Sequence, residues 1–272
     1  MAEPPDGFLE TGYAAVTPVE DTYLRRFITN WCETNEAIAR SLSADSIRAD
    51  RFWAADTRRP ATYTNTATLI RPVLSDVEGL MGELESFFAG RPGDSRETYI
   101  FSPWPTPNLR PHGWRLGGHP PLHILPQGRE RPPLPDGFRI ERVTTPEQLA
   151  AMERIAIEGY PFFGFEGSPA GVLFAPPLLE ETSIRIWLGL EGDRPVGAAV
   201  TSIAHGINQV MLIVTLPDVR GRGYGAALTW EASLAEPSLP AMLLSSDLGR
   251  PVYDRMGYLP LVRFTVWYRL RI

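Results

Sequence analysis

The sequence predicts an α+β fold in which a mixed, mostly antiparallel sheet flanked by helices fills the second half, preceded by a smaller α/β N-terminal domain. Two observations carry the second half. Three strand-like runs, SIRIWLGL (183–190), PVGAAVTSIA (195–204) and INQVMLIVTL (207–216), are divided only by EGDR and by His205-Gly206, and read as an antiparallel meander. Helix patterns bracket that meander, one opening at Pro146 and the other at a glycine-rich turn. The third observation separates the halves: LPQGRERPPLPDG (125–137) is rich in proline and charge and poor in large apolar residues, which marks a connector. The expected units are therefore residues 1–125, a linker over 126–137, and a domain over 138–272.

Taken in order, residues 20–40 have helical spacing, YTNTATLIRPV (63–73) reads as a strand, DVEGLMGELESFFAG (76–90) as a helix and ETYIFSPWP (97–105) as another strand. After the connector, FRIERV (138–143) alternates like a strand, and TPEQLAAMERIAIEG (145–159) has proline near its start and helical apolar spacing. An aromatic turn, YPFFGFEGSP, leads into the meander. Beyond it the pattern predicts a helix over about 220–235, a strand at AMLLSS, a short helix around Val252 and one strand over LVRFTVWYRL (261–270). Both halves contain the order strand, Pro, helix, strand, and Arg115-Leu116-Gly117 echoes Arg255-Met256-Gly257, which suggests an internal duplication.

Composition narrows the function. All 26 basic residues are arginine, so chemistry that needs a P-loop or Schiff-base lysine is excluded. A net charge of −6 without a basic run gives no reason to expect nucleic acid as a partner. The longest apolar stretches, such as Val210 to Leu216, are strand-sized, far short of the ~20 residues that cross a bilayer, so no membrane span is expected. Cys32 is the single cysteine and no secretory pattern opens the chain, which makes a cytoplasmic protein the expectation. His119 and His123 are spaced i, i+4, but Pro120 and Pro121 forbid the helix that would pair them on one face, and no metal is expected.

The informative stretch is MLIVTLPDVRGRGYGAALTW (211–230). A buried strand runs through a proline into Arg220-Gly221-Arg222-Gly223-Tyr224-Gly225 and then into a helix. Glycines let successive backbone N–H groups turn toward one point, and a helix N-terminus adds partial positive charge, so the segment builds an anion cradle. Arg220 and Arg222 offer guanidinium groups that can pair with phosphate. The dinucleotide fingerprint is a rival, because Gly221, Gly223 and Ala226 fit its string and Asp247 follows about 20 residues on. Against it, Leu216 to Val219 separate strand from glycines, and too little chain follows Asp247 for further βα units.

These residues resemble the GNAT superfamily of acyl-CoA-dependent acyltransferases. Arg220-x-x-Gly223-x-Gly225 after a Val-Thr-Leu-Pro strand end is similar to the superfamily's Q/R-x-x-G-x-G/A signature, and the block from Ser246 to Tyr258 is similar to its closing helix and Tyr-x-x-x-Gly-Phe/Tyr turn. The resemblance covers residues 138–272 and implies that Val214 and Thr215 pair with the pantetheine arm of acetyl-CoA through their backbones. It implies a pyrophosphate cradle of Arg220, Gly221, Arg222, Gly223, Tyr224, Gly225 and Ala226, and Tyr253 as the acid that protonates the departing thiolate. The expected acceptor is a primary amine of a small molecule. Family members often place a basic carboxylate on the strand that here spans 207–216, which has none; Glu158, Glu166, Asp247 and His205 are substitutes, and water is another. Tyr160, Phe162, Phe163 and Phe165 lie in the loop that caps the acceptor site in this family. The first half offers Asp76-Val77-Glu78-Gly79 where the second has its glycines, so a GNAT-like first repeat would be degenerate. The missing strand carboxylate keeps a second function open, a non-catalytic acyl-CoA-binding or regulatory module.

Overall fold

The computed structural model describes residues 22–59, 64–73, 75–89, 96–160, 165 and 167–271. The first half comprises helix α1 (Tyr23–Ser41), strands β1 (Asp45–Arg48), β2 (Phe52–Asp56) and β3 (Asn65–Leu69), helix α2 (Val77–Phe87), and strands β4 (Arg96–Ser102), β5 (Arg115–Gly118) and β6 (Pro121–Leu125). The second comprises β7 (Phe138–Arg142), α3 (Pro146–Gly159), β8 (Ile184–Glu191), β9 (Arg194–Ala204), β10 (Ile207–Thr215), α4 (Tyr224–Ser233), β11 (Ala241–Leu244), α5 (Arg250–Met256), β12 (Leu259–Arg263) and β13 (Thr265–Arg271). Local chemistry explains the helix starts. Thr22 caps α1 by accepting from the Arg25 amide, and Thr145 and Gln148 form a reciprocal capping box ahead of α3, with Pro146 in its first turn. No described helix is long and apolar enough to cross a membrane.

The strands form two mixed sheets, β1-β2-β3-β4-β13-β5 and β12-β6-β11-β10-β9-β8-β7. Each half therefore gives its last strand to the other. β6 precedes the connector yet lies between β11 and β12, while β13 lies between β4 and β5. The crossing point is fixed by backbone pairing of Phe264 N–H with the Pro120 carbonyl at 3.0 Å, with Phe264 buried. Helix α1 sits where the sheets meet, packing on β2 and on β9 and β10. Its Asn30 side chain donates to the Ser202 and Ala204 carbonyls of β9, at 3.2 Å each, and accepts from the Ser202 hydroxyl at 2.6 Å. A buried amide with its partners satisfied in this way fixes the helix against a single register of the sheet.

Three sequence expectations need revision. The single strand over 261–270 is two strands in different sheets, because the chain turns from one to the other at Phe264. The helix expected from 220 begins at Tyr224, since Gly221 (φ 81°) and Gly223 (φ 86°) are left-handed and cannot be helical. The echo between 115–117 and 255–257 joins unlike places: Gly257 (φ 88°) ends α5, whereas 115–117 is strand β5. In element order Gly257, between β11 and β12, is matched by Gly113 (φ 81°), which ends a 3-10 turn, Arg110–His112, between β4 and β5. What repeats is topology: β3–α2–β4 and β10–α4–β11 are both parallel strand pairs joined by a helix.

Candidate active site

The site begins with a strand that loses its partner. β10 pairs with β9 along its length, but between Met211 and Val214 the register shifts by one residue, and Leu212 takes φ 50°. On its other edge β10 meets β11 in parallel only at Asn208↔Ala241 and Gln209↔Met242. Beyond Gln209 the two strands pair no further. Val214 and Thr215 stay bonded to Ala198 and Gly197 on the β9 side, so their other edge is open to an extended ligand that adds like a strand. Two glycines bring helices close to this point. A Cβ on Gly159, at the end of α3, would lie 2.5 Å from Val214 Cγ2 and 2.9 Å from the Thr215 carbonyl oxygen, and one on Gly197 would lie 2.6 Å from Leu228 Cδ1 of α4.

The cradle follows directly. After a 3-10 turn, Pro217–Val219, the chain passes through left-handed Gly221 and Gly223 and enters α4, whose N-cap Gly223 provides no side-chain cap. The amides of Tyr224, Gly225 and Ala226, in the first turn, precede any intrahelical acceptor, and the helix dipole makes that end positive. A Cβ on Gly221 would meet nothing within 4 Å, so the space above the turn is open. The side chains behave differently from the amides. Arg220 Nη2 donates to the Gly159 carbonyl at 2.7 Å. Arg222 Nη1 donates to Glu191 Oε1 at 2.6 Å, and the Tyr224 hydroxyl donates to the same oxygen at 2.6 Å. The Tyr224 ring lies flat on Phe138, centroids 4.1 Å apart. The guanidinium groups expected to reach phosphate are thus engaged with the protein, and an anion here is left to the amides and the helix end. The hydrogen bond from Tyr224 holds the Glu191 carboxyl below its ordinary range, with Arg222 adding to the effect and burial opposing it.

Tyr253 is on α5, four residues before the Gly257 C-cap. Its ring folds back along the helix: a Cβ on Gly249 would lie 2.7 Å from Tyr253 Cε2 and 2.9 Å from its hydroxyl oxygen. The ring edge meets Tyr258 at 5.8 Å, and Tyr258 in turn hydrogen-bonds Ser233 at 2.6 Å. Burial pushes the Tyr253 phenol up to about 12, so it is protonated at neutral pH.

The substitutes for a general base separate by position. His205 is in the β9–β10 turn, bonded to Glu33 of α1 at 2.7 Å, and lies ~30 Å along the strand from Thr215, too far to serve. Glu158 is exposed beside Gly159, the residue pressed against Val214 and Thr215. It lines a cleft of ≈500 Å³ with Arg154, Glu153, Phe165 and Ser168. Asp247 is exposed in the β11–α5 loop. Glu166, Phe162 and Phe163 lie outside the described residues, while Tyr160 is half-buried and Phe165 buried. Sequence reasoning missed Glu191, Gly159 and Glu153. The buried Glu153 carboxylate accepts from the amides of Gly171, Leu173 and Phe174, holding the loop that borders this cleft.

The matching place in the first half is closed. Asp76 (φ 54°) caps α2 by accepting from the Gly79 amide at 3.0 Å, and Arg51 pairs with Asp76 at 3.0 Å and Glu83 at 2.6 Å. A carboxylate of the chain itself occupies the helix end that is open in α4.

No family model matches the sequence, and no curated protein matches it. Solved structures do. A GCN5-related N-acetyltransferase from Kribbella flavida superposes with a TM-score of 0.62 at 21% identity, covering 88% of this chain and 98% of that one. A GNAT-family protein from Novosphingobium aromaticivorans gives 0.57 at 17% identity, covering 93% and 100%. A GCN5-related N-acetyltransferase from Sphaerobacter thermophilus gives 0.53 at 14%, covering 84% and 76%. At such identities the likeness speaks for architecture, and it extends over most of the chain: this protein has the GNAT acetyltransferase fold.

Proposed function

We propose that the chain is an acyl-CoA-dependent N-acyltransferase that moves acetyl from acetyl-CoA to a primary amine of a small molecule by direct attack on the thioester. The observation that carries this reading is the junction of an unpaired strand edge at Val214 and Thr215 with an uncapped helix end entered through two left-handed glycines. The first suits the amide-bearing pantetheine arm and the second a pyrophosphate, at the spacing that one strand end and one turn impose.

In this reading Val214 and Thr215 hold the arm as an added strand, and an N–H of that edge polarises the thioester carbonyl. The amine lone pair attacks the carbonyl carbon, the N–C bond forms and the C–S bond breaks. The sulfur takes the proton of the Tyr253 hydroxyl, and the nitrogen gives its excess proton to water or to Glu158. A thiol titrates near 8.5, well below the raised phenol, so the Tyr253 proton moves only as negative charge builds on sulfur. The first half is a degenerate copy that carries no cofactor and covers the second-half sheet through α1, which packs on β9 and β10. The alternative, an acyl-CoA-binding module without catalysis, is favoured by the absence of any carboxylate on β10.

Titration calorimetry with acetyl-CoA tests the reading first, with one site per chain expected. CoA release across a panel of small amines then separates enzyme from binding module, since a module binds acetyl-CoA and releases no CoA with any amine.

A further inference from the structure

Left-handed glycines open the cradle, and they also make it costly to hold still, because glycine loses more conformational freedom on ordering than any other residue. The structure shows what restrains this turn. Arg222 and Tyr224 flank Gly223, and both side chains end on one atom, Glu191 Oε1, at 2.6 Å each. Glu191 is the last residue of β8 and is paired across the sheet with Phe138, the residue on which the Tyr224 ring stacks. The second Arg222 nitrogen reaches the Asp218 carbonyl at 3.4 Å, and the Asp218 carboxylate pairs with Arg194 at 2.7 Å. The loop is thus tied to the end of the β8–β9 hairpin on both sides of its N-cap glycine.

By charge alone this arrangement is a poor one for an anion. A carboxylate close to a phosphate site repels the ligand, and it also occupies the guanidinium that would attract it. Its place at the centre of the clamp, holding residues on both sides of Gly223, argues for a geometric role. We propose that Glu191 is a positioning residue for the phosphate cradle, holding Arg222 and Tyr224 so that the amides around Gly223 converge, and that CoA binds more tightly with this carboxylate present than without it. The inference rests on the acyl-CoA reading above and adds to it a residue that never touches the ligand.

The two accounts differ in sign. If Glu191 acts only through its charge, Glu191→Ala frees Arg222, removes a repulsion and tightens CoA. If it positions the loop, the same variant leaves a glycine-rich turn to be ordered at each binding event, and the Kd for CoA rises about tenfold. Pantetheine, which lacks the pyrophosphate, reports on the strand edge alone. Its affinity, followed by NMR shift titration on the full-length chain, should be unchanged. Glu191→Gln keeps an acceptor oxygen in place and should recover most of the lost affinity. Should the Ala variant fail to fold, Tyr224→Phe keeps the ring on Phe138 and deletes one of the two bonds, and is expected to weaken CoA about threefold with pantetheine again unchanged. The proposal is overturned if Glu191→Ala binds CoA as tightly as wild type or more so, if pantetheine weakens in the same proportion, if Glu191→Gln is no better than Glu191→Ala, or if Tyr224→Phe leaves CoA affinity unchanged. Absence of CoA binding by the wild-type chain would remove the underlying reading as well.

Discussion

Helices α2 and α4 occupy the same place in the two halves of the molecule, each joining a pair of parallel strands, but their N-termini are built in opposite ways. At α2, Asp76 takes a left-handed conformation and turns its carboxylate onto the Gly79 amide, and Arg51 neutralises the result. At α4, Gly223 takes the left-handed conformation and has no side chain to turn. One end answers its own unpaired amides; the other leaves them without a side-chain cap. The strands beneath differ in the same direction. β3 and β4 pair at Thr66↔Tyr99, Ala67↔Ile100 and Thr68↔Phe101, while β10 and β11 separate after two pairs. Where the second half has α5 with its tyrosine, the first has the three-residue turn Arg110–His112. Two regions that share a topology therefore differ at a cap, at a strand edge and in the length of a helix.

The largest effect that would sharpen this contrast is on Tyr253. Tyr253→Phe should lower kcat by about 10²–10⁴ with a responsive amine while acetyl-CoA affinity stays near wild type, because the ring remains and only the acidic proton is lost. Turnover and Kd measured on one preparation check it, and near-normal kcat with chemistry rate-limiting would remove Tyr253 as the acid. Next comes the cradle itself. Gly223→Val places a β-branched residue at φ 86°, with its Cβ 3.4 Å from Pro135 Cγ, and should raise the Kd for acetyl-CoA by about 10- to 100-fold. Calorimetry that shows unaltered binding would place the anion elsewhere.

A smaller effect concerns alkaline pH. A phenol whose pKa rises on folding adds stability that is complete below about 10 and is lost as pH climbs through about 12, so Tyr253 makes the chain less stable across that window by on the order of 2 kcal/mol. Urea midpoints at pH 8 to 11 for wild type and Tyr253→Phe should diverge only at the alkaline end; parallel curves would contradict the burial of this hydroxyl. The smallest effect would break the comparison outright if it failed. Asp76→Ala removes the cap of α2 and should cost about 1 kcal/mol, with acetyl-CoA stoichiometry staying at one. A second binding site in that variant would mean that the Asp76 carboxylate alone had closed the first half.

Much of this could be read in the chain. The helices at 23–41, 77–87 and 146–159 and the meander β8, β9 and β10 follow from periodicity and capping residues. The turn at Gly221 and Gly223 was legible because few backbone conformations call for glycine twice in three residues. Short strands were not: β1 is four exposed residues, and β6 is five buried residues that begin at Pro121 directly after Pro120, with too few positions to establish a period. The fate of the arginines was equally hidden. Nothing local distinguishes Arg222 bound to Glu191 from Arg222 bound to phosphate, since the partner is 31 residues away and reached only when β8 and α4 are brought together.

By itself, then, the sequence determined that the chain must turn at the glycines 221 and 223 and that a helix accompanies that turn, though not its first residue, because glycine conformation, proline geometry and capping act over a few residues. Only the tertiary structure decided that the halves exchange β6 and β13, that β10 and β11 part after Gln209, and that Glu191 gathers Arg222 and Tyr224. Those outcomes depend on contacts between residues distant in the chain, where burial and pairing of polar groups choose among alternatives that local propensity leaves equal in energy.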